Sequence, residues 1–216
     1  HRDLHLSIRR QRQMCIRDSN KANLEEEFFP FFHVENCFGN ELDSSELLRD
    51  FPSINAGGSF PTEKLSQGPL KNLIEELEGA EFKSIIEDKF DINLKNAEVI
   101  TTLRGFSRSK DGQIHTDSKS KIVTVLIYLN PDWNHQKGNL RLLKDNNNLD
   151  NYIKEIPSEI GNLVAFKVTA NCWHGFKAYE GKRLSIQLNY VNPQSASSHR
   201  FRHTISSKIK QILKRP

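Results

Sequence analysis

Methionine occurs once in the 216 residues, at Met14, tryptophan twice and cysteine three times. The cysteines, Cys15, Cys37 and Cys172, have no paired or metal-type spacing, and an odd, scattered set suits a reducing cytoplasm better than a disulfide framework. No apolar run approaches the roughly 18 residues of a membrane span, and the N-terminus lacks the apolar core of a signal peptide. The expectation is a soluble, cytoplasmic protein. A basic face is also missing from the body of the chain. The net charge is +4, but residues 1–19 carry five Arg against Asp3 and Asp18, and residues 200–216 carry six Lys or Arg and no acid, so the body is mildly acidic. That excludes a basic nucleic-acid footprint on the fold.

What is present divides the chain into one domain with appendages. Residues 1–19 have no helix or strand logic continuous with the rest of the chain. Arg10–Ser19 resembles translated sequencing-adapter read-through, so this leader is set aside as non-native or disordered, the rival reading being a basic arm. Residues 20–94 form a helical and loop support region. Phe28–Val34 is an aromatic run that Pro30 limits to an edge strand or a turn into the core, and His33 within it is structural. Residues 40–68 form a loop with a short helix near Ser45–Phe51. Helical spacing then sets in at Leu70, Leu73, Ile74 and Leu77, stops at Gly79 and resumes from Glu81 to Phe90.

From residue 95 to 192 the period changes to two. The predicted strands are Glu98–Phe106, Gln113–Asp117, Ile122–Leu129, Asn139–Leu143, Tyr152–Ile156, Leu163–Val168, His174–Ala178 and Arg183–Val191. Short strands without intervening helices define a sandwich or barrel. Val123, Val125, Ile127 and Leu129 share one face of their strand, and Thr124, Leu126 and Tyr128 the other. The last strand likewise places Leu184, Ile186, Leu188 and Tyr190 opposite Arg183, Ser185, Gln187 and Asn189. The mixed polar faces suit a lined cavity; a sheet with one wet face accounts equally for Gln187 and Asn189. Residues 193–216 form a basic tail in which Ile205, Ile209 and Ile212 share a face, read as a short solvated helix or frayed end.

His115-Thr116-Asp117 carries the chemistry. On a strand, side chains two apart share a face, so His115 and Asp117 would project together as two metal ligands. A histidine from a later strand, His174, would complete two imidazoles and a carboxylate on one side of an iron ion. Alone the motif is a weak signal, and its weight comes from its surroundings.

Those surroundings are His115-Thr116-Asp117, the run Val123–Trp133, Gly138–Leu142, and His174-Gly175 with Arg183 nine positions on. Together they make residues 95–192 resemble the Fe(II)/2-oxoglutarate-dependent dioxygenases of the prolyl 4-hydroxylase type. One departure is Gly138-Asn139, where the family commonly has Gly-Gly. The resemblance implies a mainly β, double-stranded β-helix (jelly roll) braced by N-terminal helices. It implies Fe(II) on His115, Asp117 and His174, and 2-oxoglutarate on Arg183, with Tyr128 and Thr124 supporting it. It further implies O2 as co-substrate, ascorbate as an optional reductant, and hydroxylation of an unidentified C–H, prolyl or otherwise, with release of succinate and CO2. The guanidinium suits a carboxylate because its fork donates two parallel bonds. Lys182 then points outward, Trp173 packs near the site, Cys172 is a small buried residue and His135 is exposed. Arg104, Arg108 and Lys110 read as ordinary solvated cations or as a rim for an anionic substrate. Partners reduce to a small-molecule or peptide substrate, and the oligomeric state stays open. The rival functions are a metal-keeping jelly roll that senses a ligand without turnover and a cupin-like enzyme that does not use 2-oxoglutarate.

Overall fold

Alternation of apolar and polar side chains between Glu98 and Val191 resolves into two antiparallel sheets that pack on each other. The structure, a computed structural model, describes residues 15–38 and 44–193. Most of the leader (residues 1–14) and the basic tail (residues 194–216) lie outside the described residues, as do residues 39–43. In chain order the elements are α1 (residues 15–21), β1 (Phe31–Val34), α2 (Ser44–Asp50), β2 (Phe60–Pro61), α3 (Pro69–Leu77) and α4 (Ala80–Phe90). Seven strands come next: β3 (Glu98–Ser107), β4 (Lys121–Tyr128), β5 (Leu140–Leu143), β6 (Tyr152–Ile156), β7 (Leu163–Lys167), β8 (His174–Gly175) and β9 (Gly181–Val191). The larger sheet runs β1-β7-β4-β9-β3-β2 and the smaller β6-β5-β8.

The helices form where the spacing predicts, because Leu70, Leu73, Ile74 and Leu77 of α3 and Phe82, Ile85, Ile86 and Phe90 of α4 are all buried. They pack on the outer face of the larger sheet, against Val123, Val125 and Ile127 of β4 and Leu184, Ile186 and Leu188 of β9. A second cluster lies between the sheets, with Tyr128, Val164 and Phe166 meeting Leu140, Leu142 and Ile156. The chain is therefore a jelly roll with its helices on one side, and the polar faces of β4 and β9 are left to line an interior cavity.

Three expectations change. Cys15, Ile16 and Ser19 are buried and residues 15–21 are helical, so the end of the leader packs into the fold rather than standing apart. Cys15 is joined to Cys37 across 22 residues, a pairing hidden by scattered spacing, so cysteine usage no longer points to a reducing compartment. The stretch Gln113–Asp117 is not a strand. It is an irregular segment touching its neighbour at one bridge, His115 to His174, because strand β8 opposite it is only two residues long. Among the described residues no helix is long and apolar enough to cross a membrane.

Gly105 shapes the wall of the cavity. The register of β3 on β9 shifts between Arg104 and Phe106, a bulge centred on this glycine. A Cβ at Gly105 would lie 2.5 Å from Ile54 Cβ and 2.9 Å from the Ile54 carbonyl oxygen. Backbone cannot move aside as a side-chain tip can. Gly105→Ala is therefore expected to lower stability by about 1–3 kcal/mol, read from the denaturant midpoint.

Candidate metal and co-substrate site

One ligand atom from each of His115, Asp117 and His174 lies within 4.8 Å of the others, a group that can hold a metal ion. The bridge between residues 115 and 174 brings the imidazoles together, the backbone N–H of each donating to the carbonyl of the other at 3.0 Å. The ring centroids are 4.3 Å apart. His115 Nδ1 is 2.8 Å from the Gln113 carbonyl oxygen, and His174 Nδ1 is 2.8 Å from that of Cys172. A carbonyl only accepts, so both Nδ1 atoms carry the proton and both Nε2 lone pairs are free to bind a cation.

Burial first, and the neighbouring His115 second, push His174 down to a pKa of about 4, which keeps it neutral at physiological pH. Burial works against ionisation of Asp117, but the charge of Lys121, the nearby His174 and hydrogen bonds from Lys121 and Thr124 outweigh it. Its carboxyl stays below the ordinary range. Two neutral imidazoles and one carboxylate are the donor set that suits a divalent iron with an open side, so the residues fit the metal.

A cavity of about 380 Å³ opens from these ligands, walled by Thr124, Leu126 and Tyr128 of β4, Arg183, Ser185 and Gln187 of β9, and Phe176. The faces predicted to line a cavity do so except at Asn189, which lies outside it and accepts from the Thr124 hydroxyl at 3.2 Å. Arg183 is buried, and its Nε donates to the Gly138 carbonyl oxygen at 2.8 Å and to Ser158 Oγ at 3.1 Å. Its Nη2 donates to the Tyr128 hydroxyl at 3.2 Å, and its guanidinium lies 4.3 Å from the Phe176 ring centroid. These contacts fix the fork from behind and leave Nη1 without an acceptor among the described residues. Ser158 in turn donates to the Gly138 carbonyl oxygen at 2.8 Å. The Gly138-Asn139 departure is accommodated: Gly138 takes φ +85°, and Asn139 Oδ1 accepts from Trp133 Nε1 at 2.7 Å.

The predicted residues thus converge on one cavity. Thr124 lines the cavity and donates its hydroxyl to Asp117 Oδ2 at 2.5 Å, with Asn189 Oδ1 at 3.2 Å as a second acceptor. Cys172 is buried and its thiol faces the Thr169 carbonyl. His33 pairs with Asn162, while His135 stacks on Trp133 and Tyr179 outside the cavity. Lys182 is exposed. Trp173 is half-buried but does not line the cavity.

Lys121 was not foreseen. Its Nζ lies 2.7 Å from Asp117 Oδ1, inside the cavity wall. Strict alternation groups it with Val123 on the outer face, but the β4–β9 register shifts between those two residues and turns Lys121 inward. Ser158 was missed because it comes from an irregular segment without periodicity, and Phe176 lies just past the two residues, His174 and Gly175, to which the strand predicted over His174–Ala178 is shortened.

The fold is a jelly roll, and the site is a group that can hold a metal ion in the same cavity as a braced guanidinium. Residues 104–191 match the sequence model of the 2OG-Fe(II) oxygenase superfamily, whose members use Fe(II), 2-oxoglutarate and O2. No sequence among the curated proteins matches the chain at a significant level. Among solved structures it is similar to a prolyl hydroxylase from Trichoplax adhaerens in complex with a hypoxia inducible factor peptide fragment, at 21% identity and a TM-score of 0.53, covering 90% of this chain and 94% of that one. It is also similar to a Pseudomonas putida prolyl-4-hydroxylase, at 15% identity and a TM-score of 0.55, over 83% and 93% of the two chains. A third similar structure is a viral collagen prolyl hydroxylase from Paramecium Bursaria Chlorella virus-1 in its 2OG complex, at 10% identity and a TM-score of 0.53, over 77% and 97%.

Proposed function

We propose that the chain hydroxylates a C–H bond of a peptide or small molecule, converting 2-oxoglutarate to succinate and CO2, with His115, Asp117 and His174 as iron ligands and Arg183 as the co-substrate anchor. The observation that carries this reading is the pair of imidazoles, each tied back through Nδ1, beside Asp117 and in the same cavity as a braced guanidinium. Bound iron would supply the activation of oxygen and the oxidising power. The chain's residues do the positioning. Thr124 and Lys121 hold the Asp117 carboxylate in one orientation. The free Nη1 edge of Arg183 and the Tyr128 hydroxyl receive the distal carboxylate of 2-oxoglutarate, while Leu126 and Phe176 give the cavity apolar walls that limit water.

Purified protein supplied with Fe(II), 2-oxoglutarate and ascorbate is expected to release succinate slowly without any added substrate. Absence of succinate, with 2-oxoglutarate failing to bind, would move the chain to the ligand-sensing alternative.

A further inference from the structure

A second set of donors faces the same cavity and has no role in holding the iron or 2-oxoglutarate. Arg104 on β3 and Gln187 on β9 both line the wall, and Arg104 Nε donates to Gln187 Oε1 at 3.1 Å. With its carbonyl oxygen committed, Gln187 turns its amide nitrogen out as a donor. Arg104 keeps both of its Nη groups. None of these three nitrogens meets an acceptor among the described residues.

The neighbouring cations differ. Arg108 spends its fork on Asp111, with Nη2 2.7 Å from Oδ1, and Lys121 is paired with Asp117. Lys110, also in the wall, has no ion-pair partner among the described residues. Once Arg183 is assigned to the dianionic co-substrate, Arg104 and Lys110 remain as cations with no ion-pair partner among the described residues. The placement of Arg104 is built into the backbone, because the bulge at Gly105 sits directly after it. Arg104 is exposed at the mouth of the cavity, where its guanidinium can be reached from solvent and shares the wall with Arg183. Two like charges facing one half-enclosed cavity repel, and an anion seated between the walls relieves that repulsion.

Resting on the oxygenase reading, we propose that the substrate of this site bears a carboxylate, held by the Nη groups of Arg104 and the amide of Gln187. A planar guanidinium beside an amide donor matches the two oxygens of a carboxylate. The carboxylate can belong to a free acid or to an acidic side chain in a peptide. The experiment separates the two.

Wild type and Arg104→Gln, each loaded with 2-oxoglutarate and Mn(II) in place of iron, are titrated calorimetrically with two probe sets. One set is N-acetyl amino acids against their amides, and the other is end-blocked peptides containing Glu or Asp against Gln or Asn. The same probes are then tested for stimulation of succinate release with Fe(II). Acids in one set are expected to bind and stimulate where their amides do not, and Arg104→Gln is expected to weaken acid binding by about tenfold or more. Its 2-oxoglutarate affinity and its thermal midpoint should be retained. The proposal fails if no acid outperforms its amide in either set, or if Arg104→Gln loses 2-oxoglutarate binding instead, since Arg104 would then hold the co-substrate. A wild type that releases no succinate counts against the oxygenase reading, whereas acid-over-amide binding still decides this one.

Discussion

Alanine at His174, and separately at His115, is expected to reduce metal affinity and succinate release by about a hundredfold or more. Loss of outer-shell partners alone typically costs about 10–100-fold in such sites, and these side chains are the proposed ligands themselves. The two positions differ in a way that makes the test clean. His174 is buried, with Phe166 at 4.9 Å between ring centroids, so its truncation also leaves a cavity and lowers stability. His115 is exposed, and its loss should leave the unfolding midpoint nearly unchanged. Calorimetric titration with Mn(II), alongside a succinate assay with Fe(II), therefore separates ligation from folding. Retained metal affinity in both variants would remove the two-histidine, one-carboxylate assignment.

Arg183→Lys is expected to raise the half-saturating 2-oxoglutarate concentration by about 10–100-fold, the loss of one charge-assisted hydrogen-bonded anchor. The charge survives this change, so the effect measures geometry. Arginine here is held through Nε by Gly138 and Ser158 and through Nη2 by Tyr128, with Nη1 remaining for a ligand. A lysine has one nitrogen and cannot satisfy the back wall and a carboxylate together. Its ammonium must also replace the stacking of the guanidinium on Phe176. Equal 2-oxoglutarate dependence in the two proteins would assign the co-substrate carboxylate to another cation of the same cavity, such as Arg104.

The strands and helices were legible because their periods are clean, and β6 runs from Tyr152 to Ile156 as predicted. The polar faces of β4 and β9 were legible for the same reason. Where alternation breaks, parity misleads. Lys121 joins the cavity only because of a register shift, and Arg104 is followed by a bulge, so neither could be aimed from sequence spacing. His115 and Asp117 were found by residue type, yet the reason they converge is a single bridge to β8 rather than a strand. The back wall behind Arg183 was not legible, since Gly138 and Ser158 are 20 residues apart and meet through one hydroxyl. The pairing of Cys15 with Cys37 was hidden too, because it depends on a helix packing against the strand region rather than on spacing.

Strand β1 has a consequence beyond the core it helps to fill. It is the outermost strand on its side of the larger sheet, and its four residues pair with β7 from Phe31 opposite Phe166 to Val34 opposite Leu163. Without it, β7, whose Leu163, Val164, Ala165 and Phe166 are all buried, would become an open apolar edge with unpaired backbone groups. Such an edge is a template for pairing with another chain. The aromatic run near the N-terminus thus guards against self-association, and a chain shortened past Val34 would be prone to edge-to-edge aggregation even with every metal ligand in place.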